Sequence, residues 1–321
     1  MKAITRRQYG NAQRIFFKDL PIPKPGEQEL LIKVHCHTIN RTDCAILHGK
    51  PYLFRFFIGW PKPKKQILGT DFAGEVVKVG SGVKEFKPGD RVFGFNDQGL
   101  ASQAEYCCIS QSEPIIGIPD GISYRAAAAS IEGAHYAINF LRYTKLRKGE
   151  KVLVLGATGA IGSALIQILK ARGIRVDAVG PENYRDYWQS RGVERYWDYK
   201  SKSPLPKNKA YVAVFDAVGK SSFFQCRSVL QKGGLYISSE LGPFASNLFL
   251  ALFAGLMPKA KVKFPYPLGL MESLSTMQNL LAEGKYRPLI DPIKLGPSAA
   301  EEAYNYVDSG EKIGNFIMEW S

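Results

Sequence analysis

The sequence predicts an α/β chain in two parts: a β-rich opening third that the tail completes, and a doubly wound parallel sheet between them. Three observations carry this prediction. Up to about Ile118, short apolar runs are separated by Gly- and Pro-rich turns, as in PIPKPGEQ, VGSGVKEFKPGDRVFG and IPDG. From about Ser123, helical and strand patterns alternate. Within that alternation a glycine-rich turn, Gly156 to Gly162, joins a strand to an amphipathic helix. The expected parts are 1–120, completed by 267–321, and 121–266.

Taken in order, MKAITRRQYG reads as an edge strand and turn; it lacks the apolar core of a secretory signal, so a cytoplasmic protein is expected. In ELLIKVHCHTIN, strict alternation would put Leu30, Ile32, Val34 and Cys36 on one face and Lys33, His35 and His37 on the other. An Ala-rich helix opens the second part, followed by the strand KVLVLG. The next helix carries Ile161, Ala164, Leu165, Ile168 and Leu169 as a stripe at helical spacing, which predicts burial against a sheet. IRVDAVG, YVAVFDAVG, GGLYISSE and KVKFPY supply further strands. In the tail, the spacing from Ser298 to Glu301 predicts a capping box, and NFIMEW a closing strand.

Composition narrows the class. The 321 residues are 45% hydrophobic, ample for a packed core, and carry a net charge of +14. The basic residues are scattered through periodic segments, which argues against disorder and against a polybasic arm. Five cysteines without a CxxC pair indicate free thiols in a reducing compartment. The uncharged stretch Leu241 to Pro258 is barely long enough to span a bilayer and is interrupted by Gly242, Pro243, Asn247 and Gly255. A lid or interface helix is the favoured reading over a membrane span.

Gly156, Ala157, Thr158, Gly159, Ala160, Ile161 and Gly162 follow a strand and open a helix, the setting of a dinucleotide-binding turn. Small residues admit a pyrophosphate to the backbone, and free amides at the positive end of the helix dipole stabilise its charge. Sites that prefer NAD place an acid at the tip of the next strand to bind the ribose hydroxyls. Here that tip is Gly180; Asp177 lies within the strand and Glu182 follows in the loop. Arg185 and Arg191 come just after and suit a 2′-phosphate, so NADPH is expected over NADH.

Six segments, in this order, resemble the medium-chain dehydrogenase/reductase superfamily along essentially the whole chain. They are Asn40-Arg-Thr-Asp43, GTDFAGEVVKVG from Gly69, FKPGDRVFG from Phe86, GATGAIG, VFDAVG and the terminal GNFIMEW. Within that superfamily the chain resembles the zinc-free quinone oxidoreductase branch. The resemblance implies a GroES-like substrate domain joined to a Rossmann domain, with the nicotinamide in the cleft between them. It also implies a dimer or tetramer built through the nucleotide domains. Zinc alcohol dehydrogenases hold catalytic zinc with a Cys in the turn and a His in a Gly-His-Glu motif; here those positions are Asn40 and Thr70, followed by Asp71. The four-cysteine lobe is absent as well, since Phe93 to Tyr106 contains no cysteine. Cys36, Cys107 and Cys108 read as structural thiols and His35 and His37 as surface histidines, so no metal is expected.

Conjugate reduction needs no Lewis acid, only donors for the developing enolate and a proton. The resemblance implies that Asn40 and a nearby tyrosine line the pocket. Asn40 either donates to the substrate oxygen or braces its own turn. Tyr52 falls in the segment where the family often has a pocket tyrosine, and the run Tyr52, Phe54, Phe56, Phe57 and Trp60 is alternatively a hydrophobic flap before the insertion Pro61-Lys-Pro-Lys-Lys. Asp43 reads as a turn brace. His135 stands where the family has a Thr near the nicotinamide, either as a proton donor or as a packed residue. Tyr199 resembles a family position beside the adenosine phosphate. Gly219 and Ser238 fall at strand ends, where open α/β folds bind ligands. The tail reads Gly314-Asn315-Phe316-Ile317 where relatives often have a lysine after the glycine.

The expected function is an NADPH-dependent, zinc-independent reduction of quinones or α,β-unsaturated carbonyls, including lipid-derived ones. Two alternatives stay open at this point. One is a 2-enoyl-thioester reductase. The other is a non-enzymatic, nucleotide-gated protein that binds a membrane surface or RNA, although no specific nucleic-acid motif is present.

Overall fold

The computed structural model describes residues 1–201, 205, 209–238 and 261–320, which form two units: Met1–Glu132 with Gly269–Ser321, and Gly133–Leu268. In the first unit, β1 (Lys2–Arg6) pairs with β2 (Ile15–Asp19). The long β3 (Glu29–Ile39) then organises a set of antiparallel neighbours: β4 (Asp71–Val79), followed outward by β5 (Arg91–Phe95) and β7 (Ile115–Gly117), and also β6 (Tyr106–Ser110). Between β3 and β4 run α1 (Arg41–His48) and the single turn α2 (Arg55–Ile58).

Simple alternation fails in the second half of β3. The pairing with β4 shifts register between Val34 and Cys36. Such an irregularity re-aims the side chains beyond it. Leu30, Ile32 and Val34 pack in one core, with Phe72, Tyr304 and Trp320, while Cys36 joins another with Phe93 and Ile317. His37, expected at the surface, is fully buried. The short helix α3 (Tyr124–Ala128) seals the second core with Ala127 and Ala128, within the first unit, which runs to Glu132.

The second unit is a six-stranded, wholly parallel sheet. After α4 (Glu132–Arg142), the chain forms β8 (Lys151–Leu155), α5 (Ala160–Ala171) and β9 (Arg175–Gly180). It continues through α6 (Arg185–Gln189), β10 (Tyr196–Asp198), β11 (Tyr211–Asp216), α7 (Phe223–Cys226), β12 (Leu230–Ser238) and β13 (Lys261–Lys263). The order β10-β9-β8-β11-β12-β13 reverses direction between β8 and β11, the doubly wound arrangement the sequence predicts. The interior strands β8 and β11 are near-continuous apolar, buried runs, the pattern of a parallel sheet buried on both faces. The stripe of α5 is buried at Ala164, Leu165, Ile168 and Leu169. The short edge strand β10 carries no strand signature in the sequence.

The tail returns to the first unit through α8 (Leu270–Ala282), α9 (Ala300–Ser309) and β14 (Phe316–Glu319), which pairs antiparallel with β3. The expected capping box at Ser298 does not form. Gly296 and Pro297 open a 3₁₀ turn through Ala299, so the α-helix starts beyond Ser298. Among the described residues no helix is long and apolar enough to cross a membrane. The stretch 241–258 lies outside the described residues.

Candidate active site

The glycines of the turn after β8 do different work. Gly156 has φ +87°, and a Cβ there would meet Val218 Cγ2 at 2.1 Å. A Cβ on Gly162 would meet Gly156 O at 2.0 Å, so this glycine seats the helix on the turn. Gly159 is the N-cap of α5, with no side-chain cap, and a Cβ there would approach Gly156 O alone, at 3.6 Å, among the described residues. The space above the first amides of α5 is therefore open, as a phosphate requires. Ala157 N donates to Val179 O at 2.9 Å and anchors the turn to β9; Thr158 is nearly buried.

The same carboxyl edge of the sheet carries the other nucleotide-unit residues singled out by sequence. A Cβ on Gly180 would strike Tyr196 Oη at 2.1 Å, and Tyr199 N donates to Gly180 O at 3.2 Å with its ring half-exposed. Gly219, at φ +70°, donates its N–H to Asp216 Oδ1 at 2.9 Å, and Ser238 ends β12 opposite Asp216. Asp177 is turned into the unit, fully buried, accepting from Tyr211 Oη at 2.7 Å and pairing with Lys151 Nζ at 2.8 Å. It does not reach the strand tip. Arg185 grips Glu182 through two bonds, Nε to Oε1 at 2.6 Å and Nη2 to Oε2 at 2.7 Å, and its Nη1 donates to Tyr196 O. Arg191 lies over the Tyr187 ring.

In the first unit, Asn40 caps α1. Its Oδ1 accepts from Asp43 N at 2.8 Å and Asp43 Oδ2 accepts from Asn40 N at 3.2 Å, a complete capping box. Its Nδ2 lies within donating distance of Thr70 Oγ1 at 2.9 Å, Thr38 Oγ1 at 3.1 Å and Asp71 Oδ2 at 3.2 Å. Asp71 also accepts from Thr38 N at 2.6 Å and from the Thr38 hydroxyl. Asn40, Asp43, Thr70 and Asp71 are all buried. The amide that sequence reasoning offered to the substrate or to the turn is fully engaged with the turn and its neighbours.

Burial raises the Asp43 carboxyl well above its ordinary range, and the nearby Asp71 charge raises it further, against bonds from Asn40 and Thr70. Burial raises Asp71 too, with the Thr38 donors opposing. The pair therefore retains a proton toward neutral pH. Glu132, also raised by burial, accepts from Thr42 Oγ1 at 3.2 Å and is steadied by Lys312. Sequence reasoning passed over Lys312, whose Nζ donates to Gly314 O at 2.6 Å; Asn315 donates to Leu289 O at 3.0 Å. The signal was a basic residue just ahead of the tail glycine.

An amide, two hydroxyls and two carboxyls bonded to one another do not fit a zinc ion, which favours thiolate and imidazole. Among the described residues no group of three or more His, Cys, Asp and Glu is placed to hold a metal. His37 instead accepts from Trp320 Nε1 through Nδ1 at 3.2 Å, and His35 stacks on Tyr124 at 4.2 Å, which corrects the reading of both as surface residues. Tyr52 is 62% exposed, its ring beneath Arg55. His135 is buried on α4 within 3.4 Å of Asn139 Nδ2, and burial lowers its pKa to about 4, with Arg142 adding to the shift.

Comparison with known proteins agrees with this fold. Residues 26–136 match the alcohol dehydrogenase GroES-like domain and residues 191–318 match the zinc-binding dehydrogenase family. A chloroplastic quinone-oxidoreductase from Triphysaria versicolor is 30% identical over 99% of this chain and 98% of its own. An NADPH-dependent alkenal/one oxidoreductase from Arabidopsis thaliana is 26% identical over 99% of this chain and 79% of its own. The solved quinone oxidoreductase of Coxiella burnetii superposes with a TM-score of 0.85 at 25% identity, covering 100% of this chain and 99% of that one. The chain belongs to the medium-chain dehydrogenase/reductase superfamily, with the quinone oxidoreductases, and is an oxidoreductase. A purely non-enzymatic role is thereby set aside.

Proposed function

We propose that this oxidoreductase uses NADPH, without zinc, to reduce a quinone or an α,β-unsaturated carbonyl. One observation carries the reading: the two positions that would hold zinc in a zinc alcohol dehydrogenase are an amide and a hydroxyl, Asn40 and Thr70, bonded to each other at 2.9 Å. A site without a Lewis acid is poorly suited to ionising an alcohol and better suited to hydride addition to an activated double bond. When bound, NADPH supplies the hydride. The turn at Gly156 to Gly162 would hold its pyrophosphate through the amides at the start of α5. The strand tip at Gly180 offers no acid, Asp177 is committed inside the sheet and Glu182 to Arg185. The two acids the sequence offered to a ribose 2′-hydroxyl are thus both engaged elsewhere, which favours the phosphorylated cofactor. The NADPH named for the alkenal/one reductase relative supports the same choice.

The test is NADPH oxidation, followed by absorbance over a panel of quinones, alkenals, enones and enoyl thioesters, on protein treated with a metal chelator. Turnover of a quinone or enone is expected. Loss of all activity on chelation, restored by zinc, would overturn the metal-free mechanism. Preference for enoyl thioesters over free enones would move the substrate class.

A further inference from the structure

The segment from Lys50 to Lys65 holds an apolar surface of which the reductase reading uses Tyr52 alone. Tyr52, Leu53, Phe56, Phe57 and Trp60 are each 62–74% exposed, an unusual concentration of large apolar side chains within nine residues. They do not dangle. Arg55 donates to Gly49 O at 2.9 Å and to His48 O at 3.3 Å, and its guanidinium lies 4.4 Å from the Tyr9 ring centre and 4.9 Å from that of Tyr52. Tyr9 Oη donates to Gly59 O at 2.6 Å, and Phe56 stacks on Trp60 with centroids 6.0 Å apart. The aromatic side chains are thus held outward on a fastened turn.

Along the segment itself the charge has one sign; Glu113, from outside it, shares a cavity with Phe57, Lys64 and Lys65. The segment contains Lys50, Arg55, Lys62, Lys64 and Lys65 and no acidic residue, on a chain of net charge +14. Lys50, Lys62 and Lys64 are exposed beside the aromatics. Aromatic and aliphatic side chains flanked by lysines match the headgroup region of an anionic bilayer, where rings sit at the interface and ammonium groups meet lipid phosphates. We propose that residues 50–65 form a peripheral membrane-docking surface for anionic lipid, with Phe56, Phe57 and Trp60 entering the interface. Charge complementarity selects the lipid surface over a second copy of this chain, whose matching patch would carry the same positive charge. The proposal does not depend on which substrate is reduced.

The test uses the full chain and vesicles of phosphatidylcholine with and without phosphatidylglycerol. Sedimentation with the anionic vesicles is expected, falling as salt rises. With brominated lipid tails, fluorescence quenching is expected and should be lost in Trp60→Phe. Phe56→Ser/Phe57→Ser and Lys62→Gln/Lys64→Gln should each weaken partitioning about tenfold or more. No binding at low salt, or unchanged binding by the Phe56/Phe57 variant, would overturn the proposal. So would dissociation of a lipid-free oligomer by that variant, which would assign the patch to self-contact. Should the double variant fail to fold, the quenching of wild type against Trp60→Phe decides alone.

Discussion

Asn40 Nδ2 lies 2.9 Å from Thr70 Oγ1, so the turn before α1 and the start of β4 are joined by an amide-to-hydroxyl bond where zinc-dependent relatives of this fold place two metal ligands. The bond is one strand of a buried network that includes Thr38, Asp43 and Asp71. Structure around this position is held by mutual hydrogen bonding, and its loss should be felt as stability first.

Asn40→Ala removes an N-cap and leaves buried partners unsatisfied, for an expected cost of about 2–4 kcal/mol. Asn40→Asp keeps the cap acceptor but loses both amide hydrogens and adds a third carboxyl near Asp43 and Asp71. Its destabilisation should grow as pH rises. Urea titrations at several pH values measure both, and a neutral Asn40→Ala would show that the network contributes little.

The two glycines of the nucleotide turn should respond differently. Gly159→Ala places a Cβ in open space, so the folded chain should lose about 1 kcal/mol or less. NADPH affinity should fall at least about tenfold through lost amide–phosphate bonds. Gly162→Ala drives a Cβ into Gly156 O and should cost about 3 kcal/mol whether or not cofactor is present. Thermal melts and cofactor titration of each variant separate the cases; unchanged affinity in Gly159→Ala would remove the phosphate from this turn.

Arg185 is expected to read the 2′-phosphate only by sharing or releasing Glu182. Arg185→Gln should raise KM for NADPH about tenfold while leaving NADH unchanged. Glu182→Gln should lower KM for NADPH. Equal shifts for both cofactors would show that this pair does not discriminate between them.

Stability should depend on pH from both sides. Burial lowers His37 to about 3 and His135 to about 4. The unfolded chain then binds their protons first, and stability falls as pH drops below about 6.5. His37→Gln should flatten that slope while giving Trp320 an acceptor. Asp97 runs the other way: burial and the Glu132 charge raise it to about 7, so its contribution is present at low pH and lost as pH climbs from about 4 through 7. Asp97→Asn should therefore gain stability over wild type by on the order of 3 kcal/mol between pH 5 and pH 8. The same burial of His135 predicts no inflection near pH 6.5 in kcat from that residue, and a profile that His135→Asn shifts there would restore it as a proton donor.

The amino-acid pattern alone determined the alternation of strand and helix, the doubly wound sheet and the glycine turn, because these follow from periodicity and backbone freedom within a few residues. Gly156 needs a positive φ and α5 needs a stripe, and both requirements are written locally. Tertiary structure decided what the polar side chains do. Asn40 finds Thr70 across 30 residues and His37 finds Trp320 across 283, and a register shift in β3 sends Cys36 to a different core from Val34. Arg185 is a local case with the same outcome, since Glu182 competes for the guanidinium that sequence offered to a phosphate. A side chain's residue type sets which bonds it can make, and only the packed chain sets which partners remain within reach.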